Sequence, residues 1–289
     1  MAIRILTDSS SDLSKEMIEG YPIDIIPLIV TVDEEEFEDE ITITSTEIAN
    51  AMLDGKSVKT AQVPMHKFQD YFSQVDENDT LICIPISSGL SGTYQTAVQT
   101  AEMVKEERPG LDIRVIDAKC ISLGLGFVVL SAARKVLEGL SADEIESQII
   151  EEAAYSKHLF TVPELKWLLK GGRISKTSAR MGTLLDIKPI LHVLDGKLVA
   201  FDKVRGKKHR FSRLTDYIMK NTKSLAGQTV GICHVLNDDE AAKMADFLNE
   251  NLKPDRIIIK DIGAVIASHT GPGLLAIFFS SDEKEVKLP

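Results

Sequence analysis

Apolar runs of strand length alternate with segments of helical period through the first half of the chain, and this rhythm leaves few folds open. Strands are expected at Ile3 to Leu6, Ile23 to Val32, Thr80 to Ile86 and Ile113 to Ile116. Between them, Thr44 with Glu47 and Ser141 with Glu144 have the spacing of capping boxes. Each pair precedes an apolar stripe of 3.6-residue period. Such alternation favours a parallel sheet with helices on both faces. The rhythm then changes: "KPILHVLDGKLVAFDKV" reads as two strands joined by Asp195-Gly196, the pair preferred in tight hairpins, so a second sheet with antiparallel pairing is expected.

The expected fold is therefore α/β in two domains. An N-terminal parallel-sheet α/β/α domain is placed at residues 1–160 and a C-terminal mixed α/β domain with the hairpin at 161–289. A chain of 289 residues suits two domains of about 150 residues each. The 44 acidic residues against 33 Lys and Arg give a net charge of -11, which repels phosphate backbones and argues against a nucleic-acid partner. Cys83, Cys120 and Cys233 stand far apart, which suggests neither disulfides nor zinc and fits a reducing cytoplasm. No apolar run reaches the roughly 18 residues that would span a bilayer, and "MAIRILTDSS" is too short for a signal peptide. The acidic run "DEEEFEDE" at 33 to 40 reads as a solvated loop.

Ligands of an open parallel sheet gather beyond the carboxyl ends of its strands. Three polar loops are expected there: "TDSSSD" after the first strand, "KTAQVP" at 59 to 64 and "SSGLSGT" from 87. Capping of helix N-H groups accounts for any one of them, but three together point to a site. The third loop has the glycines of an anion cradle and lacks the Gly-Lys-Ser/Thr ending of a nucleotide-binding loop. It also misses the G-x-S-x-G nucleophile elbow, so a hydrolase built on Ser91 needs His269 and Asp8 to be its neighbours. None of the six histidines has metal-ligand spacing, so no metal is expected. His269, in "ASHTGPG", is the histidine with room to face a ligand. Farther along, Gly171 and Gly172 stop a helix before a second helical pattern. "KVRGKKHRFSR" gathers Lys203, Arg205, Lys207, Lys208, His209, Arg210 and Arg213, either as a solvated helix start or as a surface for phosphate or an acidic partner.

Taken together, "TDSSSDL", "KTAQVP", "SSGLSGTYQTA", "LLKGGRISKT", "IKPIL", "KVRGKK" and "SHTGPG" resemble the DegV family, in the same order and along the whole chain. The resemblance implies a two-domain lipid-binding protein that holds one long-chain fatty acid with its carboxylate in the cleft between domains. It further implies a carrier with no catalytic residues or cofactor of its own. In such proteins a separate ATP-binding fatty acid kinase subunit phosphorylates the carboxylate to an acyl phosphate for phospholipid synthesis. Carried over by motif, Thr60 and Ser91 would bond the carboxylate with His269 nearby. Arg205, together with Lys207 and Arg173, would meet phosphate or the partner. The family often has T-S-Q where this chain has Thr60-Ala61-Gln62, so one hydroxyl is missing.

Physical chemistry supports such a carrier independently. Hydroxyl donors orient a carboxylate through charge-assisted bonds of roughly 1.5–3 kcal/mol each. An arginine clamp would stabilise the ground state and blunt the carboxylate's nucleophilicity. Affinity then comes from the chain, at about 0.8 kcal/mol per buried methylene, or on the order of 11 kcal/mol for fourteen. The segment "ISLGLGFVVLSAA" at 121 to 133 is a candidate tunnel wall, with Gly124 and Gly126 allowing close passage, although core packing explains it more simply. Two other readings stand beside the carrier: an acyl hydrolase using Ser91 and His269, and a binder of some other ligand.

Overall fold

The computed structural model describes residues 2–174, 187–282 and 284, with the side chains of residues 187, 207 and 208 left outside the description. The helical pattern expected after Gly172 falls on residues 175–186, outside the described residues.

The first domain contains β1 (Ile3–Asp8), a 3-10 turn at Ser9–Ser11, α1 (Lys15–Ile18), β2 (Ile23–Ile26), β3 (Ile29–Val32) and β4 (Glu35–Glu38). These are followed by α2 (Ser45–Leu53), β5 (Val58–Ala61), α3 (Met65–Phe72), β6 (Thr80–Cys83), α4 (Thr93–Glu107), β7 (Asp112–Val115), α5 (Ser122–Leu137) and α6 (Ala142–Tyr155). Strands β2-β1-β6-β7 form a wholly parallel sheet. Its alternation divides the core. Leu6, Leu81 and Ile113 pack with Phe68, Phe72 and Ala101 of α3 and α4, while Ile5 and Ile82 pack with Val129, Ala132, Ile145 and Ile149 of α5 and α6. Both capping boxes are formed, at Thr44 with Glu47 and Ser141 with Glu144.

The apolar run Ile23 to Val32 proves to be two strands. Pro27 and Leu28 separate them, and Pro27 lacks the N-H that a continuous ladder needs. Strand β2 stays in the parallel sheet, whereas β3 turns away into an antiparallel sheet of order β4-β3-β5. The acidic run is only partly a solvated loop. Asp33 to Glu36 are exposed, Glu35–Glu38 form β4, and Asp39 is buried.

The second domain comprises β8 (Ser156–Thr161), α7 (Lys166–Lys170), β9 (Ile187–Leu194), β10 (Lys197–Arg205), α8 (Lys207–Asn221) and β11 (Thr229–His234). It continues with α9 (Asp238–Asn251), β12 (Arg256–Asp261), α10 (Ala264–Thr270) and β13 (Leu275–Ser280). Its mixed sheet runs β10-β9-β8-β13-β11-β12, with only the β11–β12 pair parallel. All of β8 belongs to this sheet, so the chain passes between sheets at Tyr155–Ser156, ahead of the expected division at 160. The β9–β10 turn is the expected Asp195-Gly196, with both residues at positive φ (47° and 75°) as a type I′ turn requires.

One face of this sheet is covered by Leu214 and Ile218 of α8 and Met244 and Leu248 of α9. From the other face, Phe160, Leu191, Cys233 and Phe278 join the cluster that holds Leu6 and Phe68 of the first domain. The two domains thus share one continuous apolar core. Among the described residues, no helix is long and apolar enough to cross a membrane.

Candidate functional site

A narrow cavity at the domain junction brings Thr60, Ser91, Arg173 and His269 together. Thr60 comes from β5, where it is paired with Val30 of β3. Ser91 comes from the loop ahead of α4, and His269 from the last turn of α10. Most other walls are apolar, including Leu28, Ile86, Leu168, Val265 and Ile266, with Gln62 as a further polar group. About 50 Å³ of this space is open to a water-sized sphere, well under the roughly 300–1,000 Å³ of pockets that take small molecules. A ligand of that size therefore fits only if the apolar walls part.

Thr60 Oγ1 lies 2.8 Å from His269 Nε2. His269 Nδ1 is shut away from solvent without a hydrogen-bond partner among the described residues, and Gly171 faces that edge of the ring so closely that a β-carbon there would collide with it. Burial, reinforced by the positive charge of Arg173, pushes the imidazole down to about 4, so it is neutral at physiological pH. Ser91 Oγ lies 2.9 Å from Thr93 Oγ1 and accepts a bond from Thr93 N at 3.2 Å. Arg173 Nε donates to Leu90 O at 3.2 Å and Nη1 to Gly171 O at 2.6 Å. No carboxylate pairs with Arg173 among the described residues. Sequence reasoning set Arg173 apart from the three carboxylate residues, but it lines the same cavity. A cation therefore stands where only neutral donors were expected.

The hydrolase arrangement is not assembled. His269 engages Thr60 rather than Ser91, and among the described residues no acid orients Nδ1. Asp8 is buried elsewhere. It accepts bonds from Ser10 and, at 2.7 Å, from Ile86 N, which ties β1 to the loop carrying Ser91. The glycines of that loop also serve packing: a β-carbon on Gly89 would lie 2.5 Å from Gly196 O of the hairpin turn. Of the segment from 121, Ile121 lines this cavity, while Gly124, Phe127, Val128 and Leu130 border a separate cavity of about 860 Å³; Gly124 lies against His158 and Gly126 against Ser11 O.

The basic cluster after β10 lies outside this cavity. Arg205 is exposed at the strand end, Arg210 pairs with Glu240 and Arg213 with Asp202. The side chain of Lys207 lies outside the described residues. Sequence reasoning assigned no site role to Gly171, seen only as a helix stop, to Gln62, or to a group of exposed cations, Lys56, Lys59 and Lys170. With Arg173, these cations line a cleft of about 310 Å³ on the far side of Thr60 and His269, and among the described residues no acid lines it.

The "TDSSSD" loop is buried and does not line this cavity. Asp12 accepts from Ser122 Oγ and from Gly263 N, and burial raises its carboxyl to about 7. A folded value above the ordinary 3.8 means that the native state holds more protons, so this group's contribution to stability is full below 3.8 and falls as pH rises through 7. Asp12→Asn is expected to remove that slope. Relative to the parent, the variant should gain roughly 2–3 kcal/mol between pH 5 and pH 8 in urea unfolding. Parallel pH profiles for the two proteins would contradict a raised Asp12.

Comparison with known proteins places this architecture. A family model described as "Uncharacterised protein, DegV family" matches residues 2–282. A DegV domain-containing protein of Clostridium perfringens is 37% identical over 285 residues, covering 97% of this chain and 98% of that one. A DegV family protein from Thermus thermophilus, described for its fatty acid binding, superposes with a TM-score of 0.86 at 29% identity over 97% of this chain and all of its own. DegV of Bacillus subtilis, described as a fatty acid binding protein, gives a TM-score of 0.85 at 29% identity over 98% of this chain and all of its own. With a family match along nearly its whole length and a close relative in sequence, this chain is a member of the DegV family.

Proposed function

We propose that the protein binds one long-chain fatty acid and presents its carboxylate to a separate ATP-binding kinase subunit, which converts it to an acyl phosphate. The observation that carries the reading is the convergence of Thr60, Ser91 and His269 on one cavity whose other walls are mostly apolar, with Gln62, Thr270 and Arg173 as further polar groups. Two hydroxyls and a neutral imidazole orient a carboxylate by hydrogen bonds, and the apolar walls supply affinity at about 0.8 kcal/mol per methylene. Two similar structures described as fatty acid binding support the ligand class. The cleft lined by Lys56, Lys59 and Lys170 supports presentation, because it offers positive charge to an anionic group approaching the carboxylate from outside. Arg205 lies apart from the cavity, and it and Lys207 are proposed as contacts for the partner.

Denaturing extraction and mass spectrometry test the ligand. About one long-chain fatty acid per chain is expected. The Thr60→Ala, Ser91→Ala double variant should bind at least about a hundredfold more weakly, from the loss of two charge-assisted bonds. Labelled phosphate from ATP should reach the lipid only after a kinase subunit is added. A protein that arrives empty and takes up no fatty acid would sink the lipid reading, and phosphorylation without a second subunit would sink the carrier role.

A further inference from the structure

Helix α10 follows β12 of the second domain, yet its N-terminus is held by two acids of the first. Gly263 N donates to Asp12 Oδ1 at 2.8 Å, and Val265 N donates to Asp39 Oδ1 at 3.0 Å. Both carboxylates are 1% exposed. Each is fixed in turn by a hydroxyl, Asp12 by Ser122 and Asp39 by Ser9 at 2.6 Å. The Lys260 ammonium adds a bond to Asp12 O at 2.7 Å. The two acids come from separate segments, one closing the 3-10 turn and one following β4.

The other end of α10 carries His269, and Val265, Ile266, His269 and Thr270 all line the cavity. At 1.5 Å per residue, only about 6 Å of helix separates Val265 from His269, so a shift at the N-terminus passes directly to the imidazole. We propose that Asp12 and Asp39 are positioning residues for His269: by gripping the first N-H groups of α10 from two places, they set where the ring meets Thr60. The role at the carboxylate rests on the fatty-acid reading above. The position of the ring can be tested without lipid.

The test combines NMR titration of the His269 ring in the apo protein with fatty-acid affinity. In Asp39→Ala the ring's midpoint is expected to rise by at least one pH unit from about 4 towards the ordinary 6.5, as the ring gains solvent and moves away from Arg173. Asp39→Asn, which keeps an acceptor for Val265 N, should restore most of the parent value. Asp39→Ala should also weaken fatty-acid binding about tenfold, and by less than twofold in a His269→Ala background. Gly263→Ala works the joint from the other side, since its β-carbon would lie 2.6 Å from Asp12 Oδ1. It should shift the same titration and carries the test if Asp39→Ala does not fold. An unmoved titration in folded variants, or equal affinity losses with and without His269, would overturn the proposal. Absence of any lipid binding would remove the affinity arm and leave the titration to decide.

Discussion

Gly171→Ala is expected to weaken fatty-acid binding about a hundredfold, whereas Gly172→Ala leaves it within twofold. A β-carbon on Gly171 would fall inside 3.0 Å of His269 Nδ1, a distance that real β-carbons do not occupy. The ring has little room to retreat, because Thr60 holds its opposite nitrogen at 2.8 Å. Gly171 has ordinary helical geometry, φ -75° and ψ -10°, so alanine adds no backbone strain there. The damage is the overpacking of one imidazole, which costs about 1–3 kcal/mol in a packed interior and appears here as displacement of a ligand group. Gly172 presents the opposite case. It has φ 71° and nothing within 4 Å of a built β-carbon, so alanine should cost about 1 kcal/mol of stability and leave the site untouched. Displacement of a fluorescent fatty acid and denaturant unfolding separate the two effects. Equal affinity losses in both variants would mean that His269 takes no part in binding.

Arg210→Ala is expected to destabilise the protein by about 3 kcal/mol, the low end of the usual cost of breaking a buried ion pair, because Asn237 still donates to Glu240 at 3.3 Å. Arg210 and Glu240 are 4% and 6% exposed and pair with each other across α8 and α9. Arg213→Ala, which breaks a more exposed pair with Asp202, should cost less than about 1 kcal/mol. Urea unfolding of the two variants tests whether the "KKHRFSR" segment is partly a structural element. A neutral Arg210→Ala would return that arginine to the pool available to a partner.

What could be read from the sequence was local. The capping boxes at Thr44 and Ser141 and the Asp195-Gly196 turn are written into a few adjacent residues, and the structure forms all three. The change from parallel to antiparallel pairing was legible for the same reason, since each follows from the connection between neighbouring elements. Burial of Asp39 was not legible. Its surroundings are Ser9 and the N-terminus of α10, and neither stands near it in the chain. Reading "DEEEFEDE" by charge alone gives a solvated loop, which holds for Asp33 and Glu34, while Glu35 and Glu36 are exposed but belong to β4. Arg173 and Gly171 were visible as a cation and a helix stop. Their place beside His269 depends on how α7 packs against α10, which spacing does not encode. The split at Pro27 carried a signal in the proline itself, outweighed by the continuity of the apolar run.

The strand order of the second sheet has a consequence in time. Strand β13 lies between β8 and β11, so the interior of that sheet stays open until the last of its strands is made. During synthesis, at about 5–20 residues per second, the first domain can fold while the second is still being translated. For on the order of ten seconds Asp12 and Asp39 wait without α10, and the apolar face that will meet β8 and β13 stays uncovered. The ligand pocket is thus among the last features a nascent chain acquires. A polypeptide released before residue 264 would carry a folded first domain, a sticky face and no binding site, which makes it a natural client for chaperones.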